Sequence, residues 1–233
     1  MFIRNLFIPN KRIISCLTRR IYSRRYVYLH KGSRVPGLKK DPDEVFVENN
    51  GIKYSGSEDN IRYIKDFLQD KFAISDELAL QVITHKSFGN GAKPYNEKLS
   101  AMGSKLMNLY FAKYVTSKST SNELAINGKN LDSLGSPAAR ELGGRLALAM
   151  FARNNNVNRI MFWKSYNYGL SFEASGEMKV SAQMMYALVG AVTFVHGKET
   201  AEAFIKEKLL DAKPSIEDIT ANIVEKTDDI DVI

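Results

Sequence analysis

Apolar side chains recur every three or four residues through most of the chain after residue 58. This spacing predicts a series of amphipathic helices, because residues three and four apart lie on the same face of an α-helix. The first two predicted helices carry the pattern at Ile61, Ile64, Phe67 and Leu68, and at Leu78, Leu80, Val82 and Ile83. No segment shows a convincing strand period, so the sequence predicts an all-α fold.

Three further helices follow from the same pattern. One is predicted to begin near Asn96, and its apolar face would consist of Leu99, Met102, Leu106, Leu109 and Tyr110. Another is predicted to begin at Ser136-Pro137, because proline is favoured in the first turn of a helix, where its missing N–H costs nothing. A last amphipathic helix is expected over about 198–210. The segment after it is expected to fray, since Ser215–Ile233 carries six acids and one lysine.

The most apolar part of the chain is an uncharged run from Val180 to Val195, sixteen residues long. A transmembrane helix needs about 20 predominantly apolar residues, and this run also contains Ser181, Gln183 and Thr193. The run is therefore interpreted as a buried core helix, and no membrane insertion is predicted.

Charge divides the chain into two unlike parts. The 233 residues carry a net charge of +7, but residues 1–40 contain eleven Lys or Arg and no Asp or Glu. The remaining 193 residues carry 22 basic and 26 acidic side chains, a net of −4. With 44% hydrophobic and 25% charged residues, the composition fits one compact domain with tails. The sequence thus predicts an acidic-leaning body behind a basic arm.

The first 22 residues have the composition of a mitochondrial presequence, because they are rich in Arg, lack acids and intersperse apolar residues among the charges. The segment Arg20-Ile21-Tyr22-Ser23 is typical of a matrix processing site, which predicts cleavage after Tyr22 and a location in the mitochondrial matrix. Cleavage would remove Cys16, the only cysteine, and with it any cysteine-based disulfide, metal site or nucleophile. The alternative is a basic N-terminus of a cytosolic or nuclear protein.

Residues 23–40 combine cations with aromatic side chains and have no helix or strand period. Such a mixture suits phosphate neutralisation together with base stacking, so these cations are the candidate RNA-binding residues. They are Arg24, Arg25, Lys31, Arg34, Lys39 and Lys40. The alternative is an unstructured linker of similar composition. An acidic connector completes this region up to residue 57.

Two separated motifs carry a family resemblance. The first is a Thr84-His85-Lys86-Ser87 turn followed by a helix that begins Asn96-Glu97-Lys98-Leu99, and the second is Ala187-Leu188-Val189-Gly190-Ala191, about 85 residues later. Together they resemble the ribonuclease III family over roughly residues 58–212. The resemblance implies a ribonuclease III-type helical endonuclease domain with an extended basic N-terminal arm. The predicted organisation is a presequence (1–22), a basic arm and acidic connector (23–57), the ribonuclease III-like domain (58–212) and an acidic C-terminal tail (213–233).

The same resemblance identifies where the catalytic chemistry of the family would lie. In ribonuclease III, acidic residues of the two motifs hold the Mg²⁺ that cuts double-stranded RNA. The matching positions of this sequence are Glu97, Ser100, Ser104, Gln183 and Tyr186. Mg²⁺ sites are usually anchored by carboxylates, and metal-bound water is the attacking group. With one acid left in five, the resemblance implies no catalytic residue, no metal site and no cofactor.

The remaining candidates have structural interpretations. Asn96 and Glu97 fit a helix start, in which the amide caps the helix and the acid complements its N-terminal dipole. His85 and Ser87 lack a third partner that would make them a nucleophile and base, so a capping or core histidine is favoured.

The overall pattern resembles the ribonuclease III-type proteins of the fungal mitochondrial large ribosomal subunit. This resemblance implies a structural protein that binds the rRNA of that subunit, neighbouring ribosomal proteins and a second ribosomal protein of the same fold, as a heterodimer; the sequence leaves a homodimer as the alternative. Small residues at Ser100, Ala101, Gly103 and Ser104 are expected to allow that partner to approach closely. The alternatives are an active mitochondrial double-stranded RNA endonuclease and a non-ribosomal RNA-binding assembly factor.

Overall fold

The structure is a computed structural model that describes residue 54 and residues 58–121, 123, 125–165 and 169–230. The predicted presequence lies outside these residues. So do the candidate RNA-binding cations Arg24, Arg25, Lys31, Arg34, Lys39 and Lys40.

Seven α-helices build the described part of the chain. They are α1 (Glu58–Leu68), α2 (Asp76–Ile83), α3 (Glu97–Ser117), α4 (Pro137–Leu142), α5 (Arg145–Asn154), α6 (Glu177–Ile205) and α7 (Ile216–Ile230). A π-helical turn, Lys206–Leu210, continues α6, and short 3-10 turns occur at Asp70–Phe72, Phe88–Gly91, Leu131–Gly135 and Val157–Ile160. Over these ranges the structure has no strand, only isolated bridges between Thr84 and Phe162 and between Ile126 and Lys129. The all-α prediction is therefore confirmed for the described residues.

The predicted helix start at Ser136-Pro137 is also confirmed. The Ser136 hydroxyl accepts a hydrogen bond from the Ala139 backbone N–H, and Pro137 occupies the first turn of α4. Ser75 caps α2 in the same way by accepting from Leu78. In both places a side-chain oxygen satisfies a backbone donor that has no partner within its helix.

The uncharged run lies in α6, which is the central helix of the fold. Nearly every residue from Val180 to Val192 is buried or half-buried, so this part of α6 is enclosed on all sides. Gly197 interrupts the helix with φ 84° and ψ 178°, which separates the buried part from the predicted amphipathic segment after it. By length and composition alone, the 34 residues of Glu177–Leu210 would be enough to cross a membrane, but 61% of the most apolar stretch is buried inside the fold. This degree of burial is typical of a core helix.

Helices α3 and α6 lie side by side and run in the same direction. Asn96 bonds Gln183 near their first turns, and Lys113 pairs with Glu202 near their ends. Between these points two glycines allow the backbones to approach. A Cβ on Gly103 would lie 1.9 Å from the Tyr186 carbonyl oxygen. A Cβ on Gly190 would lie 2.0 Å from the Leu99 carbonyl oxygen. Gly103 thus serves this contact within the chain, and its predicted role in close approach to a partner is wrong.

The buried face of α3 differs from the predicted one. It consists of Leu99, Gly103, Met107 and Phe111, which repeat every four residues and face the rest of the fold. Of the predicted apolar face, Met102 is 36% exposed and Leu109 47% exposed, so the fold does not bury that face as a whole. The apolar pattern on α3 is broader than the stripe that this chain buries, and two large apolar side chains remain at the surface.

The C-terminal segment does not fray as expected. Residues Ile216–Ile230 form α7, which packs against α4 and α5 and buries Ile216, Ile219 and Thr220. Lys118 at the end of α3 pairs with Glu217 at 2.6 Å. The apolar residues lie three apart on one helical face, and burial of that face outweighs the acidic composition of the segment. The helical body therefore extends past residue 212.

Candidate functional site

The turn before α3 is fixed by backbone hydrogen bonds to a distant segment. The His85 N–H donates to the Phe162 carbonyl at 2.8 Å, and the Phe162 N–H donates to the Ile83 carbonyl at 2.8 Å. The Asn96 N–H donates to the Thr84 carbonyl at 3.0 Å. These bonds hold the two parts of the first motif together and set where α3 begins.

Asn96 is a buried connector between three helices. Its side-chain N–H₂ donates to the Val82 carbonyl of α2 at 2.9 Å, and its side-chain oxygen accepts from Gln183 of α6 at 3.0 Å. It makes no side-chain capping bond to α3, so that part of the prediction is wrong. The amide satisfies polar groups between α2 and α6 that burial would otherwise leave without partners.

Glu97 is the one acid at the five matching positions, and it forms an ion pair. The Lys86 ammonium lies 3.2 Å and 3.3 Å from its two carboxylate oxygens. Both side chains are about half-exposed, with 57% and 52% of their surface accessible. A cation from the preceding turn therefore already neutralises this carboxylate.

The four other positions are neutral, and three of them hydrogen-bond within the protein. Ser104 donates to the Ala101 carbonyl at 3.1 Å, and Gln183 donates to Asn96 as described. The half-buried Tyr186 donates its hydroxyl to the Gly143 carbonyl, at the junction of α4 and α5, at 2.7 Å. Burial raises the pKa of the Tyr186 hydroxyl, which therefore stays protonated and remains a donor.

The described residues contain no group of three or more His, Cys, Asp or Glu side chains placed to hold a metal ion. At the five positions the structure has one ion pair and a set of neutral hydrogen bonds. This arrangement binds the helices together. It offers a hard cation such as Mg²⁺ a single carboxylate, and that carboxylate is already paired.

His85 and Ser87 form a local structural unit. The Ser87 hydroxyl oxygen lies 2.9 Å from the His85 Nδ1 and accepts from the Lys164 backbone N–H at 3.0 Å. The Ser87 backbone N–H also donates to the His85 Nδ1, at 3.1 Å. The pair ties the turn to the segment after Phe162, which agrees with the structural interpretation of this histidine.

The environment of His85 predicts a loss of stability in mild acid. Burial lowers the pKa of His85, the Lys179 and Lys86 ammonium groups lower it further, and Gln183 and Glu97 act against them. The unfolded chain therefore binds the proton more readily than the folded one. The stability that neutral His85 contributes is complete above the ordinary pKa of about 6.5 and is lost as the pH falls below it. We expect a smaller free energy of unfolding at about pH 5 than at about pH 7, measured by urea denaturation. In His85→Gln the difference should be smaller, and an unchanged difference would contradict the assignment.

Two cations near the site could not be found from the motifs. Lys164 belongs to a segment whose sequence gives no sign that it lies beside Ser87, and Lys179 precedes the apolar run of α6 by one residue. The backbone bonds at Phe162 bring Lys164 to the first motif, and the packing of α6 against α3 brings Lys179 to it. The predicted cations of residues 23–40 stay predictions, because they lie outside the described residues.

Comparison with known proteins defines the class to which this fold belongs. Residues 75–213 match the family model described as Ribonuclease-III-like. This match spans more than half of the chain, and the chain therefore belongs to the ribonuclease III-like family. The family predicted from the two sequence motifs is confirmed.

One curated protein and one solved structure are similar to the chain. The large ribosomal subunit protein mL57 of Neurospora crassa is 24% identical over 148 residues, which cover 59% of this chain and 55% of the relative. The chain thus spans about half the length of this curated relative. The nuclease domain of ribonuclease III from Campylobacter jejuni superposes with a TM-score of 0.48 and 20% identity, covering 64% of this chain and 92% of that one.

Proposed function

We propose that the chain is a non-enzymatic constituent of the mitochondrial large ribosomal subunit, with a ribonuclease III fold that serves as a binding scaffold. The proposal rests on one observation: residues at the positions that hold the metal ion in the family make contacts within this protein. Glu97 pairs with Lys86, and Gln183 and Tyr186 hydrogen-bond to neighbouring helices. The similarity to mL57 supports the ribosomal assignment, and the composition of residues 1–22 supports the mitochondrial matrix.

The first alternative is an active double-stranded RNA endonuclease, which would need carboxylates at positions that hold hydroxyl and amide groups. The second alternative, a non-ribosomal assembly factor, needs no carboxylates at these positions. It differs from the proposed function in that the protein would not be a constituent of the ribosome. Immunoprecipitation from lysed mitochondria separates these functions. We expect recovery of the large-subunit rRNA in amounts close to those of the protein, and recovery of the protein with little rRNA would contradict the proposal.

The proposed protein partner is a second ribosomal protein of the same fold, which would form a heterodimer with this chain. Met102 and Leu109 of α3 are 36% and 47% exposed, and Phe194 of α6 is 72% exposed. Met102 and Leu109 lie seven residues apart and therefore on the same side of α3, and an apolar patch on a surface is a common mark of a protein interface. The same immunoprecipitation should therefore recover a second protein with a ribonuclease III fold. Met102→Gln combined with Leu109→Gln should reduce its recovery.

The proposed RNA contacts of the N-terminal arm make a quantitative prediction. Each cation that neutralises a phosphate releases counterions, so log affinity falls against log salt with a slope of roughly 0.7 to 0.9 per contact. Deletion of residues 23–40 removes Arg24, Arg25, Lys31, Arg34, Lys39 and Lys40. We expect the deletion to reduce the salt slope of RNA binding by roughly 4 to 5 if all six make contacts, and to leave the helical body folded.

Filter binding over a range of KCl concentrations measures this slope. A chain that binds RNA with an unchanged slope after the deletion would show that residues 23–40 are only a linker. Circular dichroism of the same two proteins checks that the body stays helical.

A further inference from the structure

Three lysines converge on one face of the helical body, beside the turn that precedes α3. Lys86 lies in that turn, Lys179 in the first turn of α6, and Lys164 in the segment that follows Phe162. All three are exposed. They come from three separate parts of the chain, so only the fold brings them together.

Two observations place these three residues near the turn that precedes α3. The Lys164 backbone N–H donates to the Ser87 hydroxyl at 3.0 Å, which puts Lys164 beside the residue that follows Lys86. The ammonium groups of Lys86 and Lys179 both act electrostatically on His85. The Lys164 backbone thus lies beside the turn that carries Lys86, and Lys179 lies one helical turn before Gln183, whose amide donates to Asn96 at the start of α3.

The face carries little compensating negative charge. Glu97 pairs with Lys86, and the ion pairs found among the described residues include neither Lys164 nor Lys179. The ion pairs at the far ends of α3 and α6 instead neutralise the lysines there, as with Lys113 and Glu202. Residues 58–230 contain 21 basic and 21 acidic side chains, so the body has no net charge that would make every face positive. The positive character of this face is local.

We propose that Lys86, Lys164 and Lys179 form a metal-independent binding surface for RNA backbone phosphates on the helical body. The proposal rests on RNA as the partner in the proposed function, and it goes beyond that function because the contact lies on the folded body and not on the N-terminal arm. An ammonium group binds phosphate as a point charge with several donors and needs no metal. The side chains that bond to His85 or act on its charge are all polar or charged, with Glu97 the one anion among them. A polar and mainly cationic surface is typical of RNA contacts, whereas protein interfaces have an apolar centre.

The location gives the surface a physical rationale. Two of the five positions that match the metal site of the family lie beside these lysines, because Glu97 pairs with Lys86 and Gln183 lies one helical turn after Lys179. A metal ion would bind phosphate there through its own positive charge. In this chain lysine ammonium groups supply positive charge on the same side of the fold, and one of them, Lys86, also neutralises the remaining acid.

A matched pair of full-length variants tests the surface. The first combines Lys86→Gln, Lys164→Gln and Lys179→Gln, and the second combines Lys129→Gln, Lys206→Gln and Lys213→Gln. Both sets consist of exposed lysines and remove the same charge. The probe is a short RNA duplex of about 20 base pairs, with binding measured over a range of KCl concentrations in the presence of a chelator.

We expect the first variant to reduce the salt slope by roughly 2 to 3 and the second to change it by less than about 0.5. Equal slopes for the two variants would overturn the proposal, and so would a loss of wild-type binding when the chelator is added. If deletion of residues 23–40 flattens the slope while the two lysine variants behave alike, the proposed function stands and the body surface is wrong. Equal thermal unfolding of the two variants shows that a difference in slope arises from binding.

Discussion

Gly103→Ala and Gly190→Ala are each expected to lower the free energy of unfolding by roughly 3 kcal/mol or more. A Cβ at Gly103 would lie 1.9 Å from a backbone oxygen, and one at Gly190 would lie 2.0 Å from another. Both oxygens belong to the partner helix, Tyr186 in α6 and Leu99 in α3. No side chain can rotate away to relieve the overlap. The two helices must separate, and their separation exposes apolar surface along the whole pair.

Gly135→Ala is the matched control for this experiment. Gly135 lies in a 3-10 turn, and a Cβ there would have no atom within 4 Å. Urea denaturation of the three variants and the wild type measures the difference. A loss below about 1 kcal/mol at both Gly103 and Gly190 would contradict the close contact of α3 and α6.

Restoring acids at the four neutral positions is expected to weaken the protein without creating a nuclease. The variant combines Ser100→Glu, Ser104→Asp, Gln183→Asp and Tyr186→Glu. Gln183→Asp removes the amide that donates to Asn96, and Tyr186→Glu removes the hydroxyl that donates to the Gly143 carbonyl. The new carboxylate at 186 would sit in a half-buried space. We expect this single change to cost about 2 to 4 kcal/mol, from the lost hydrogen bond and the burial of a charge.

Tyr186→Phe separates these two effects, because it removes only the hydroxyl. Its expected cost is about 1 kcal/mol, close to that of one hydrogen bond. Cleavage is measured on double-stranded RNA with Mg²⁺ or Mn²⁺, with and without a chelator. Chelator-sensitive cutting by the wild type that Glu97→Gln abolishes would contradict the non-enzymatic assignment. A four-acid variant as stable as the wild type would contradict the account of Tyr186.

The helical pattern could be predicted from the sequence wherever an apolar repeat and a local stop signal agreed. Ser136-Pro137 is an example, because both the capping hydroxyl and the proline act within one turn. The buried part of α6 is another, since a run without charges has to be enclosed on all sides. In the same way, the order of two short motifs was enough to indicate the family.

The sequence predictions fail where contacts with distant segments, and not the local pattern, decide which side chains are buried or adjacent. The apolar face of α3 extends from Leu99 to Met102 and Leu109, and only the position of α6 decides which of these is buried. The acids of α7 concealed a short apolar repeat, Ile216 and Ile219, because composition was averaged over the whole segment. The lysines around His85 come from distant segments, and no local pattern relates Lys164 to Ser87.

The central proposal is that this chain is part of the mitochondrial large ribosomal subunit and works there without catalysis. Sedimentation of mitochondrial lysate through a sucrose gradient in high salt tests it most directly, because loosely bound factors are released by salt while integral constituents stay in place. The account predicts that the protein stays with the large subunit at a constant ratio to its rRNA. A protein that moves to the top of the gradient while the subunit remains intact would contradict it.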